Sequence, residues 1–244
     1  MNTFIGVDLG WYGKPSGLAS LEWTGAALRL RRIARLQNPA EILKWILTES
    51  GTGSAVVGVD APLIIRNATG IRPAERELNR DFRRFHAGCH AANLQRPFAA
   101  HVVAFSRLLE SAGFRHGARM RSRAKGRFQI EVHPHAATVS LFRLDRIVKY
   151  KRGARSGRAR ELRRLRRLML TLLPHMDPAL SLDLPHVPRT GNTKPVEDRM
   201  DAVLCAFIAA NWWRWNTRRN RLYGTEEAGY IVVPQPPPMI EASA

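Results

Sequence analysis

Thr3-Phe4-Ile5-Gly6-Val7-Asp8-Leu9-Gly10 is the stretch from which the rest of the chain is read. Apolar and small residues run straight into one carboxylate and then a glycine. A continuous apolar run of this length, bounded by a turn signal, predicts a strand buried on both faces. Asp8 then stands at the carboxyl end of a central strand, where open α/β sheets place their ligands. An unpaired carboxylate buried beside a sheet is costly and calls for a cation. The alternative is that Asp8 merely closes a turn before Gly10. Against that, the pattern recurs. Ala55-Val56-Val57-Gly58-Val59-Asp60-Ala61-Pro62-Leu63 is again an apolar run ending in aspartate, and Pro62 stops further ladder pairing. Neighbouring parallel strands of this design bring Asp8 and Asp60 side by side.

Working outward, residues 18–23 and 27–34 alternate around Thr24-Gly25 and predict an antiparallel hairpin, so the chain opens as a meander. Asn38-Pro39-Ala40-Glu41 supplies an N-cap, a first-turn proline and an early acid for a helix that ends at Gly51-Thr52-Gly53. Residues 64–126 read as a helical insertion covering one rim of the sheet. Within it Arg72, Arg76, Arg80 and Arg84 recur every four residues on an expected helix. They form either a basic stripe or, with Glu75 and Glu77, a self-paired solvated face. Residues 98–113 predict a second helix.

Arg127-Phe128-Gln129-Ile130-Glu131-Val132-His133-Pro134 alternates like a strand and makes Glu131 the third acid at a strand end. Residues 149–167 hold ten basic residues and one acid, and leucines at 162, 165, 168 and 172 predict a helix with an arginine-coated outer face. Residues 196–210 predict a buried helix whose first turns carry Asp198 and Asp201 on one face. Residues 229–234 read as a closing edge strand. The expected organisation is one α/β domain over 1–234 with a flexible tail over 235–244.

The chain has 244 residues, a formal charge of +19 and a pI near 11.4. Such a field favours a polyanion, nucleic acid above all, although an arginine-rich solvated surface gives the same sum. Candidate contacts are Lys14, Arg72, Arg76, Arg80, Arg84, Lys149, Lys151 and Arg152. No run approaches the roughly 18 apolar residues of a membrane span. Cys89 and Cys205 suit reduced thiols, and no hydrophobic signal core precedes the first strand, so the expected location is cytoplasmic.

Only twenty acids stand in this basic chain, and Asp8, Asp60, Glu131, Asp198 and Asp201 fall where element ends converge. Clustered carboxylates repel unless cations or shifted pKa values relieve them. Hard oxygen ligands suit Mg²⁺ or Mn²⁺. Two such ions would activate a water and stabilise a leaving oxygen in phosphodiester hydrolysis. His86, Cys89 and His90 match no zinc spacing. His133 and His135 could assist proton transfer or serve the fold. Trp212, Trp213 and Trp215 could stack on bases or pack a helix end.

The order of meander, helix, Asp-ending strand, strand and Asp-bearing helix resembles the ribonuclease H-like fold, and Asp198-Arg199-Met200-Asp201 resembles the last acidic pair of Holliday-junction resolvases. Gly6-Val7-Asp8, Gly58-Val59-Asp60-Ala61-Pro62-Leu63, Glu131-Val132-His133-Pro134, Glu197-Asp198-Arg199-Met200-Asp201-Ala202 and Gly229-Tyr230-Ile231-Val232-Val233-Pro234 together resemble the family catalogued as domain of unknown function 429, regarded as predicted ribonuclease H-like nucleases. The resemblance implies a mixed sheet flanked by helices and a metal-dependent nuclease. It implies that Asp8 bridges two metals, Asp60 supplies the second-strand ligand and Asp201 or Asp198 the helix ligand. Glu131 is either a further catalytic acid or a salt-bridge partner. Two rivals stand beside this reading. One is a non-catalytic nucleic-acid binder on the same scaffold. The other is an actin-like kinase, suggested by Asp8-Leu9-Gly10 followed by Lys14 but lacking a second phosphate loop.

Overall fold

β1 (Asn2–Asp8) is paired along both edges. The computed structural model describes residues 2–236. β1 runs antiparallel to β2 (Ser16–Trp23), which runs antiparallel to β3 (Leu28–Leu36). α1 (Pro39–Ser50) then carries the chain to β4 (Ser54–Val59), parallel to β1 on its other edge. Asn38 caps α1, its Oδ1 accepting from Ala40 N at 2.8 Å, and Pro39 fills the first turn where its missing N–H costs nothing. The register pairs Gly6 with Gly58 and Val7 with Val59, so Asp8 and Asp60 leave the sheet at the same height.

Next come α2 (Pro73–Phe82), α3 (Ala99–Ser111), β5 (Arg115–His116) and β6 (Arg127–Glu131). α4 (Pro134–Leu141), α5 (Arg155–Leu172), β7 (Leu180–Ser181), α6 (Lys194–Trp215), β8 (Asn220–Thr225) and β9 (Gly229–Pro234) complete the order. The result is a mixed seven-stranded sheet, β5-β6-β4-β1-β2-β3-β7, flanked by helices.

Strand alternation assigns each residue to one of two cores. Ile5, Val7, Leu18, Val57 and Val59 pack with α1 and α3 on one face. Phe4, Ala19, Leu21, Val56 and Ile130 pack with α6, α5 and α4 on the other. α6 lies across β1, β2 and β4 at backbone distance. A Cβ at Gly6 would overlap the Ala202 carbonyl, one at Gly17 the Asp198 carbonyl, and one at Gly58 would come 2.5 Å from the Cys205 carbonyl. These glycines are what let α6 descend onto the sheet.

Several expectations are corrected. Arg72 does not belong to a helical stripe: it precedes α2 and is 1% exposed. The 64–126 segment does more than cover a rim, since Phe98, Val102, Phe105 and Leu109 build one of the two cores and β5 adds an edge strand. β5 and β7, two residues each, are too short to leave a periodicity. β9 is not an edge of the large sheet. It pairs with β8 in a separate hairpin, tied to the large sheet by a Val132–Val232 bridge. Gln235 N donates to the Arg219 carbonyl at 2.9 Å. The expected tail otherwise lies, from residue 237 on, outside the described residues.

Candidate functional site

Period-two alternation puts Phe4, Gly6 and Asp8 on one side of β1, and Val56, Gly58 and Asp60 on the same side of β4 and its extension. That side faces α6, whose backbone rests on the two glycines and whose buried face carries Asp201. Asp8, Asp60 and Asp201 are therefore near enough for their charges to interact, and all three raise the buried Cys205 thiol one turn further along α6, after burial itself. Asp8 and Asp60 line a cleft of about 960 Å³, together with His133, His135, Lys151 and Lys194.

The three carboxylates differ in their company. Among the described residues Asp8 accepts no hydrogen bond and forms no ion pair, and burial, with repulsion from Asp201 and Asp60, outweighs the charges of Lys151 and Lys194 and pushes its carboxyl well above the ordinary range. Burial also pushes Asp60 upward, but His133, with Nδ1 3.8 Å from Oδ1, and the charge of Lys151 outweigh it and hold Asp60 below its usual value. The other ring nitrogen of His133 lies 3.2 Å from the Ala87 carbonyl. A carbonyl can only accept, so Nε2 carries a proton, and Nδ1 must carry one too to donate to the Asp60 carboxylate. Asp201 is wholly buried: Tyr150 donates to Oδ1 at 2.6 Å and the Lys151 ammonium sits 2.8 Å from Oδ2. Burial works against the Lys151 charge, yet Asp201, Tyr150, Asp8 and Asp60 hold it firmly protonated.

The remaining sequence candidates line the same cleft but are held by other partners. Asp198 has both oxygens committed, to Arg35 and Lys194 at 2.8 Å each. Glu131 is out of phase with Ile130 and Val132 and points away from α6. Arg72 grips it at 2.9 and 2.6 Å and also binds Glu75 and the Ile64 carbonyl, each at 2.8 Å. Glu131 is thus held in a buried ion pair with Arg72, the salt-bridge alternative of the two roles its sequence position allows. Arg72, expected to meet nucleic acid, is its buried partner. The reason is register: Glu131 pairs with Val59, not with Asp60.

The family described as protein of unknown function (DUF429) matches residues 6–228, which include every acid named above. The chain belongs to the DUF429 family. No curated protein matches it. In this DUF429 chain Lys14, Lys149 and Arg152 are exposed and line the cleft. Arg76, Arg80 and Arg84 are exposed outside it. Among the described residues no helix is long and apolar enough to cross a membrane. Burial pushes the Cys89 thiol up to about 12, so it stays protonated beside His86 and His90. Trp212 and Trp213 are buried and donate to the carbonyls of Gly117 and Ala124. Trp215 lies under the Arg219 guanidinium, 3.8 Å from its ring centre. Trp212 and Trp213 are thus packed into the core.

Tyr150, Arg35 and Lys194 escaped the sequence reading. Lys194 left a signal, the four-residue spacing to Asp198 on one helix face. Tyr150 and Arg35 left none, because their partners are distant in the chain.

The donor set at Asp8 and Asp60 is all oxygen and negatively charged, and among the described residues Asp8 accepts no hydrogen bond, which suits a hard divalent ion. Among the described residues no three His, Cys, Asp or Glu side chains already converge to hold one. Lys151 supplies the cation at Asp201 instead.

Proposed function

We propose that this protein is a divalent-metal-dependent nuclease with a ribonuclease H-like core. The order β3-β2-β1-β4-β6, an antiparallel meander followed by parallel strands with α6 across one face, supports that reading of the fold. One observation carries the chemistry. Asp8 is a half-buried carboxylate that accepts no hydrogen bond among the described residues, on the same face as Asp60 and Asp201, in a cleft to which Lys14, Lys149, Lys151 and Arg152 contribute positive charge. Asp8 and Asp60 would hold Mg²⁺ or Mn²⁺, with Asp201 joining them when Lys151 leaves it. A bound ion would polarise a phosphoryl oxygen and make hydroxide available at neutral pH. Lys149, Lys151 and Arg152 would hold the strand by its phosphates, and Lys151 would exchange Asp201 for a phosphate oxygen.

The test is cleavage of labelled single-stranded, duplex, hybrid and branched nucleic acids in Mg²⁺ or Mn²⁺ by wild type and Asp8→Asn. We expect cutting that stops in chelator and falls at least about a hundredfold in the variant, the scale on which removing one transition-state contact acts. No cutting, or equal cutting by Asp8→Asn, refutes the nuclease. The Lys151–Asp201 pair favours a second reading, a non-catalytic binder whose carboxylates are already neutralised. Such a protein would hold nucleic acid equally well in chelator and with Mn²⁺.

A further inference from the structure

Among the described residues three large apolar side chains are exposed, Trp11, Leu47 and Leu94, and only Trp11 lines the cleft. It stands three residues beyond Asp8. Its indole lies against Phe98, with ring centres 4.4 Å apart and planes inclined by 39°. Phe98 is 6% exposed and belongs to the core beneath α3, so the indole rests on a rigid base. The loop that carries it is also tied down. Gly10 N donates to Ser16 Oγ at 2.9 Å and Lys14 N to the Trp11 carbonyl at 3.2 Å. A side chain at Gly10 would strike the carbonyls of Lys14 and Pro15, so the loop is folded back tightly on itself. Lys14, Lys149 and Arg152 are exposed along the same cleft.

We infer that Trp11, backed by Phe98, is a stacking platform for one unpaired nucleobase beside the Asp8 centre, and that the substrate is therefore single-stranded at that point. The inference rests on the nucleic-acid reading above and adds the strand state of the substrate. An aromatic face beside cationic side chains matches a nucleotide, whose base stacks while its phosphate is held by charge. Bases inside a duplex have both faces covered by neighbours and cannot use such a platform. The competing role for Trp11 is to cover Phe98 from water, which a leucine would do as well.

The experiment compares binding, in chelator, of a short fluorescein-labelled oligothymidylate and an abasic strand of equal length and charge. Wild type and Trp11→Leu are measured side by side. Wild type should bind the base-containing strand about tenfold more tightly, the scale of one stacked base. Trp11→Leu should lose that preference while binding the abasic strand as wild type does. Trp11→Phe should keep part of the preference. A preference absent in wild type, or intact in Trp11→Leu, overturns the platform and leaves the nuclease reading standing. Failure of wild type to bind either strand refutes the nucleic-acid reading and the platform with it.

Discussion

Asp8 and Glu131 are both carboxylates at strand ends, and their surroundings make opposite demands on the same change. Asp8 faces Asp201 and Asp60 without a hydrogen-bonded partner, so its charge works against the fold. Glu131 neutralises a buried guanidinium, so its charge holds the fold together. In chelator, Asp8→Asn should raise stability by about 1–2 kcal/mol, a few degrees in melting temperature, because it removes a like charge from a buried cluster. A carboxyl whose folded pKa is raised keeps its proton longer in the native state. Its favourable contribution is therefore present below the ordinary value of 3.8 and is lost as pH climbs from there through the folded value. The advantage of Asp8→Asn should accordingly be absent at acid pH and grow toward neutrality. Added Mn²⁺ should reverse the order, stabilising wild type by mass action and leaving the variant unmoved. Glu131→Gln should instead cost about 3 kcal/mol, since it leaves Arg72 buried with one charged partner fewer. Thermal melts across pH, with and without Mn²⁺, check both signs. Equal shifts in the two variants would mean that Asp8 too is a structural carboxylate.

The seating of α6 on β1, β2 and β4 turns two separate strand ends into one site, and it depends on what glycine leaves out. Gly6→Ala would drive a methyl into the Ala202 carbonyl, which belongs to helix backbone and has no rotamer to yield. Denaturant unfolding should show a loss of about 3 kcal/mol or more, the upper end for overpacking. Gly157→Ala, in open space on α5, should be neutral or stabilising by up to about 1 kcal/mol. If the two alanines behave alike, α6 does not sit where it is described. Much of this element-level design was legible. The twin runs ending in Asp8 and Asp60 announced parallel neighbours, and each carries its glycine in phase with its aspartate. Glu131 stands at a strand end too, and only the register with Val59 reveals that it turns the other way. The contacts of Tyr150 and Lys151 with Asp201 join an aperiodic loop to a helix about fifty residues on, and nothing local encodes such a pairing. Arg72 misled for a related reason. Its four-residue spacing to Arg76 resembles a surface stripe, while its burial is set by Glu131, far along the chain.

At the scale of the whole molecule, the charge of +19 is either a footprint for a polyanion or a solvated surface. α5 allows the two to be separated. It buries Ala159, Leu162, Leu165 and Met169 and leaves Arg160, Arg163, Arg164 and Arg167 exposed, with Glu161 as the one acid nearby. Its first turn follows Lys149, Lys151 and Arg152 of the cleft within a few residues in the chain. Each phosphate contact on a single strand contributes about −0.7 to the slope of log K against log salt. Replacing Arg160, Arg163 and Arg167 together with glutamine should therefore lower the magnitude of that slope by about 2 and weaken binding at low salt. The melting temperature should stay within about a degree of wild type, because exposed arginines contribute little to stability. Fluorescence anisotropy of an oligothymidylate over a salt series reads the slope. A slope unchanged by the triple substitution would assign the arginine face of α5 to solvent and confine the polyanion to the cleft, with Lys14, Lys149, Lys151 and Arg152 to account for it.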